Sequence, residues 1–254
     1  MLKLSKKITI CNHHVDFRGR LGAKTLCDLF NDAANEQTIA LGVDVDTFNA
    51  SGITWMLHRI RLQVTRWPSK GEEIILETWP SGSDRLFAFR DFAVFSSSGQ
   101  PLVRSTSEWM VIDLERRRPV RLPESVSRMA AYHEGITREI TFELDSKRLP
   151  LDVTGSRRFV ASYDTIDFNR HVTQASYVGW VTHALPFDFS SHHQLTELEM
   201  LYEREILPDS EVNSIYFIEE NDAGARVWHR VVDASGAVTH CAARGAWSRE
   251  ESAR

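Results

Sequence analysis

Ser162-Tyr-Asp-Thr-Ile-Asp167-Phe-Asn169-Arg-His171-Val172-Thr-Gln-Ala-Ser-Tyr177 is the run on which the organisation of this chain turns. It sets a carboxylate, a carboxamide and an imidazole at every second position, just before a helical pattern begins. Alternate residues of extended backbone point the same way. The expected arrangement therefore has Asp167, Asn169 and His171 together on one side of a strand end. Read without any function, the same three residue types are good turn formers between a strand and a helix.

Part of the run occurs earlier in the chain. Asp16-Phe17 falls on Asp167-Phe168 at an offset of 151 residues (16 to 167), and the same offset sets Leu21 on Val172 and Leu26 on Tyr177. The surroundings repeat as well. In the first copy a strand over 7–10 leads through His14-Val15-Asp16-Phe17 to a helix over 25–41. There Leu26, Leu29, Phe30, Ala33, Ala34, Gln37 and Leu41 recur at three- and four-residue steps until Gly42. Strands follow over 54–67, 72–79, 86–96 and 102–113, separated by Pro, Gly and Ser turn signals. In the second copy a strand over 159–163, a turn over 167–171 and a helix over 173–184, stopped by Pro186, lead to strands over 197–207, 211–219, 226–232 and 238–248. The hairpin glycines Gly99 and Gly236 differ by 137 (99 to 236), so the second copy is the shorter one. Arg18 and Arg20 stand where Asn169 and His171 stand, which makes the amide and imidazole special to the second copy.

One helix followed by an antiparallel meander, twice over, implies an α+β chain built as a tandem hotdog, each unit a long helix wrapped by a curved antiparallel sheet. The expected boundaries are 1–130 for the N-terminal unit, 131–156 for a connector and 157–254 for the C-terminal unit. Composition agrees with a globular protein: of 254 residues 42% are hydrophobic and 26% charged. Thirty Lys and Arg against 35 Asp and Glu give a net charge of −5, which argues against a nucleic-acid partner. Cys11, Cys27 and Cys241 are scattered and odd in number, as expected of thiols in a reducing compartment. The first ten residues lack the apolar core of a secretory signal, and no run approaches the ~18 apolar residues of a membrane span. A cytoplasmic protein is the expectation. His13-His14 and His192-His193 are adjacent pairs without metal-ligand spacing, and there is no Gly-x-Ser-x-Gly elbow. No metal, no cofactor and no serine nucleophile are therefore expected.

These residues resemble the acyl-acyl-carrier-protein thioesterase family of plants and bacteria. Asp167, Asn169, His171, Val172 and Tyr177 match its motif Asp-x-Asn-x-His-Val-Asn-Asn-x-x-Tyr, and Tyr202-Glu-Arg204-Glu205-Ile206 matches its Tyr-Arg-Arg-Glu-Cys strand. In the first copy Trp67-Pro68, Glu77-Thr-Trp79, Arg90-Asp91, Arg104 to Trp109 and Asp113 to Pro119 look like the family's N-terminal unit. Two departures matter. Thr173-Gln174 replace the Asn-Asn pair, and Ile206 replaces the cysteine after the glutamate, so a papain-like mechanism through that thiol is closed to this chain.

The resemblance implies hydrolysis of an acyl thioester carried on the phosphopantetheine arm of acyl carrier protein. It nominates Asp167, Asn169, His171 and Glu205 as catalytic. Such chemistry needs an activated water and donors for the developing oxyanion. Glu205, expected on a strand facing the helix start, can act as general base or position the water, and His171 can share the base role. Asn169 can donate to the carbonyl or hold the water without titrating. Asp167 can orient a partner or be the base itself. Backbone N–H groups at the helix start add oxyanion donors. The resemblance also implies an acyl tunnel in the N-terminal unit, for which Leu29, Ala33, Trp55, Met56 and Ile60 are the candidates. Acyl carrier proteins are acidic, so docking on a net-negative chain calls for a basic patch, and Arg116, Arg117, Arg118 and Arg121 are the densest. A homodimer is the expected assembly. The alternatives are an acyl-coenzyme A thioesterase on the same fold, a double-hotdog dehydratase or hydratase, and a non-catalytic acyl-thioester-binding module.

Overall fold

The computed structural model describes residues 3–131 and 140–250. Residues 132–139 of the expected connector lie outside them. The chain packs as two compact units, one of residues 1–61 and 65–141, the other of residues 62–64 and 142–254. Each combines antiparallel strands with one principal helix, the α+β plan expected.

The first unit holds β1 (Leu4–Thr9), α1 (Ala23–Leu41), α2 (Val45–Asn49), β2 (Ile53–Val64), β3 (Glu73–Ser83), β4 (Phe87–Ser96), β5 (Pro101–Asp113), β6 (Arg118–Val120) and α3 (Glu124–Ala131). Its strands run in the order β1-β3-β4-β5-β2, with β6 beside β5. The face of α1 foreseen from its spacing is the buried one: Leu26, Phe30, Ala33, Ala34 and Gln37 are buried, and Phe30 stacks on Phe92 of β4 at 4.4 Å. Gly42 ends the helix in the left-handed conformation (φ 67°), which a side chain would strain. Helices α2 and α3 were not foreseen, because each is short. Asp44 caps α2 by accepting from the Asp46 and Thr47 N–H groups. Val126 of α3 joins a core cluster with Val43, Phe48, Ala88, Val111 and Leu122.

The second unit holds β7 (Gly155–Val160), α4 (Gln174–Ala184), α5 (Phe187–His192), β8 (His193–Tyr202), β9 (Glu211–Asn221), β10 (Gly224–Asp233) and β11 (Thr239–Arg249). The order β7-β9-β10-β11-β8 reproduces that of the first unit strand for strand. Helix α4 is apolar nearly all round and is buried from Ala175 through Val181. The expected strand over 197–207 starts earlier and stops sooner. It ends at Tyr202 because the next two N–H groups, of Glu203 and Arg204, both bond the one carbonyl of His240 at 2.9 and 3.1 Å, which breaks the ladder. Residues 142–144 are pinned to this sheet by Glu199. Its carboxylate is fully buried, accepts the Glu143 and Leu144 N–H groups at 2.8 Å, and lies 3.2 Å from Arg244 Nη2. Buried in this way, the charge is compensated on both oxygens.

The offset of 137 carries Phe92, opposite Thr78, onto His229, opposite Tyr216. An imidazole thus occupies a core place that holds a phenyl ring in the first unit. His229 is buried, its Nδ1 has no hydrogen-bond partner among the described residues, and burial pushes its pKa down from 6.5 to about 3. The native state refuses a proton that the unfolded chain accepts, so stability falls as pH drops below the unfolded pKa of about 6.5. The slope is about 1.4 kcal/mol per pH unit down to the folded value. Urea unfolding at pH 6.5 and pH 5 should show His229→Phe losing about 2 kcal/mol less than wild type over that interval. Equal losses in the two proteins would mean that His229 is protonated in the fold.

Candidate active site

Residues 162–173 form a closed loop where alternating extended backbone was expected. A 3-10 turn, Tyr163–Thr165, leads to an isolated bridge between Ile166 and Val172. Inside the bridge the Asp167 N–H donates to the His171 carbonyl at 2.9 Å, and the Arg170 N–H to the Asp167 carbonyl at 3.0 Å. The Asp167 carboxylate accepts the Asn169 N–H on Oδ1 at 2.8 Å, and its Oδ2 lies 3.4 Å from His171 Nδ1. A short acidic side chain that bonds its own backbone two residues on competes with strand pairing, and here it wins. The three polar residues do share one site, but a turn gathers them and strand alternation does not.

The first unit builds the same loop bond for bond. The 3-10 turn is Asn12–His14 and the bridge joins Val15 to Leu21. The Asp16 N–H donates to the Arg20 carbonyl at 2.8 Å, the Gly19 N–H to the Asp16 carbonyl at 3.0 Å, and Asp16 Oδ1 accepts the Arg18 N–H at 2.9 Å. Each loop closes onto its helix start by one more bond, Gly22 N–H to the His14 carbonyl at 3.0 Å and Thr173 N–H to the Thr165 carbonyl at 2.9 Å. Both loops need a left-handed residue at the same place. Gly19 supplies it at φ 71°, whereas Arg170 adopts it at φ 64° with a side chain, which costs on the order of 1 kcal/mol. Asn169 and His171 are thus changes made on an unchanged backbone.

Helix α4 starts directly after the loop. Thr173 caps it, its Oγ1 accepting the Ser176 N–H at 3.3 Å, so the Thr-Gln pair keeps the start capped without the family's Asn. Residues 203–206 run alongside. The Val172 N–H donates to the Ile206 carbonyl at 2.9 Å, and the Tyr177 hydroxyl donates to the Arg204 carbonyl at 3.3 Å. Glu205 therefore lies next in sequence to residues bonded to the loop and to α4, but its side chain is exposed and it sits in irregular backbone past the end of β8. The strand position expected for it is corrected by the His240 carbonyl that ends β8. That same His240 is half-buried, lies beside Glu205 and escaped sequence reasoning, because no motif or spacing marks it. Cys241 is fully buried and burial pushes its thiol well up, so it holds no thiolate for nucleophilic attack.

The remaining candidates divide. Leu29 and Ala33 lie one turn apart on α1, Ala33 fully buried and Leu29 half-buried. Ile60 is buried and Met56 half-buried on β2. Trp55 and Met56 are neighbours on that strand and face opposite ways, so they do not line one wall. Trp55 stacks on Phe48 at 5.1 Å and donates Nε1–H to the Val43 carbonyl at 2.7 Å, which ties it into the core cluster. Arg116 and Arg117 form the tip of the β5–β6 hairpin and Arg118 opens β6, all exposed, with Arg121 exposed just beyond. Asp113 shapes that tip, its Oδ1 accepting the Glu115 and Arg116 N–H groups at 3.0 and 2.7 Å.

Two α+β units of identical strand order, each with a helix entered through the same aspartate-closed loop, define a double-hotdog protein. The N-terminal domain of acyl-ACP thioesterases matches residues 2–130 and the C-terminal domain residues 150–249, and the chain belongs to this family. It is 25% identical over 214 residues to a chloroplastic acyl-[acyl-carrier-protein] hydrolase from Cuphea viscosissima, covering 80% of this chain and 51% of that protein. It is 24% identical over 232 residues to a chloroplastic palmitoyl-acyl carrier protein thioesterase from Gossypium hirsutum, covering 87% and 56%. The chain thus spans about half the length of these plant relatives. In fold it is similar to an acyl-ACP thioesterase from Bacteroides thetaiotaomicron, with a TM-score of 0.84 at 23% identity over 97% of this chain and 98% of that one. A 12:0-ACP thioesterase from Umbellularia californica gives a TM-score of 0.82 at 19% identity over 98% and 95%. No described helix is long and apolar enough to cross a membrane.

The turn-closing role of Asp167 can be tested by itself. Asp167→Asn keeps an Oδ1 acceptor for the Asn169 N–H, so the urea-unfolding free energy should stay within about 0.5 kcal/mol of wild type. Asp167→Ala leaves that N–H without its partner and should lose about 1–2 kcal/mol. Equal stability of the two variants would remove the turn-closing role.

Proposed function

We propose that the chain hydrolyses the thioester of acyl-acyl carrier protein and releases a free fatty acid. One observation carries the reading: the same loop is built twice, and only the second copy presents Asn169 and His171. A turn needs neither residue, since Arg18 and Arg20 serve the identical backbone in the first copy.

In this reading water attacks the thioester carbonyl carbon. Its proton passes to Glu205 or His171, the tetrahedral oxyanion collapses with cleavage of the carbon–sulfur bond, and the same group returns the proton to the departing sulfur, giving the carboxylic acid and the carrier thiol. Asp167, 3.4 Å from His171 Nδ1, orients the imidazole so that Nε2 is the nitrogen offered to water. Asn169 holds the water or donates to the carbonyl oxygen. The start of α4 supplies backbone N–H groups and a favourable dipole for the oxyanion. Water is the nucleophile because Ile206 stands after Glu205 and the Cys241 thiol is buried and held protonated. The N-terminal unit takes the acyl chain, with Leu29, Ala33, Met56 and Ile60 as candidates for its wall. The exposed arginines of the β5–β6 tip suit an acidic carrier. Free, scattered cysteines suit a cytoplasmic enzyme.

The deciding assay compares one acyl group on the carrier protein and on coenzyme A, alongside fatty-acid profiling of a bacterium expressing the chain. Wild type should favour the carrier thioester, and His171→Ala should lower the rate by about 100-fold or more. Preference for the coenzyme A ester would transfer the function to an acyl-coenzyme A thioesterase. Release of no fatty acid from either substrate would leave only acyl-thioester binding.

A further inference from the structure

Glu205 is the one proposed catalytic group that lies outside the Asp167–His171 loop. It lies between the end of β8 at Tyr202 and the start of β9 at Glu211, exposed and in irregular backbone. A carboxylate at the end of such a segment is useful to an attacking water only if something fixes its Cα, because a displacement of about 1 Å can cost about 100-fold in rate.

Three of the bonds that hold residues 203–206 converge on one residue of β11. The His240 carbonyl accepts the Glu203 N–H at 2.9 Å and the Arg204 N–H at 3.1 Å. The ring of the same residue reaches forward, with Nδ1 3.1 Å from the Glu205 carbonyl oxygen. A carbonyl only accepts, so the proton of the neutral imidazole belongs on Nδ1. The other two anchors are Tyr177, on the Arg204 carbonyl at 3.3 Å, and Val172, on the Ile206 carbonyl at 2.9 Å. Glu205 is thus flanked by one peptide bonded to helix α4 and one bonded to the Asp167–His171 loop, and its own carbonyl goes to His240. Burial holds the ring's pKa below the ordinary histidine value, the Arg204 charge acting the same way and a backbone hydrogen bond at Arg204 and the Asp233 charge acting against it. The Nδ1–H is present in either protonation state, so the clamp does not depend on titration.

We propose that His240 is a positioning residue for Glu205: its Nδ1–H clamps the Glu205 carbonyl and so sets the direction of the Glu205 carboxylate beside the Asp167–His171 loop. This inference rests on the reading that Glu205 acts in hydrolysis. The His240 backbone carbonyl survives any substitution and keeps residues 203 and 204 in place, so ring variants test the clamp without undoing the end of β8. An asparagine carries an N–H donor at nearly the same reach from its Cβ as Nδ1, which makes it the conservative replacement.

The experiment measures kcat and KM on an acyl-carrier substrate for His240→Ala, His240→Asn, Glu205→Gln and the double variant His240→Ala/Glu205→Gln, with thermal melts to establish that each is folded. His240→Ala should lower kcat about 10- to 100-fold with KM within about twofold, and His240→Asn should recover most of that loss. On the residual activity of Glu205→Gln, the alanine should cost nothing further, because there is no longer a carboxylate to aim. A merely structural histidine would instead multiply the two losses, and that result overturns the proposal. So does an unchanged kcat in His240→Ala while Glu205→Gln is impaired. Full activity in Glu205→Gln is a different failure: it removes Glu205 from the mechanism and takes this inference with it.

Discussion

A carboxylate that bonds its own backbone shapes this protein twice. Asp16 and Asp167 each turn one oxygen onto the N–H two residues ahead, and each closes a loop whose other bonds match one for one. That closure decides where the long helix of each unit begins, since the loop hands the chain straight to Gly22 or Thr173 at the helix start. It also decides which side chains flank the helix start. Without the turn the polar residues of the second copy would be distributed along a strand. With it they are collected against the end of a helix whose dipole favours developing negative charge.

The two units diverge where the backbone permits it. The loop tolerates Arg18 and Arg20 in one copy and Asn169 and His171 in the other, because its geometry is held by Asp and by main-chain bonds. It tolerates Arg170 in place of Gly19 at a left-handed position only with some strain, which suits a segment selected for what it presents. In the cores the exchange of Phe92 for His229 trades a stacked aromatic pair for a buried neutral imidazole, and stability at low pH is the property it touches. Glu199 takes the opposite course to His229: a buried group with both oxygens engaged, it fastens residues 142–144 onto the sheet of the second unit.

The proposed chemistry follows from what is absent from the nucleophile position as much as from what is present. Ile206 fills the place after Glu205 and is almost wholly buried, and the one thiol on the neighbouring strand is too deeply buried to ionise. A neutral carboxamide, an imidazole braced by a carboxylate and an exposed carboxylate then suit activation of water better than covalent catalysis. The glutamate is the member most exposed to solvent, so its usefulness depends on how firmly its peptide is held.

Sequence alone determined the repeat, the helix of each unit, the buried face of the first of them, and the clustering of Asp167, Asn169 and His171 in one short run. These are legible because spacing encodes them: three- and four-residue steps mark a helix face, and a constant offset marks a duplicated unit. Element ends were less legible. The end of β8 depends on one carbonyl shared by two N–H groups, which no residue pattern announces, and the short helices α2, α3 and α5 owe their existence to caps and to packing. Tertiary structure alone decided that the polar run is a closed loop, that Glu205 is a coil residue, that Trp55 belongs to a core cluster, and that His240 stands beside Glu205. The physical reason is common to all four: each depends on a hydrogen bond or contact between residues far apart in sequence, or on a side chain outcompeting the backbone ladder, and local periodicity carries no record of either.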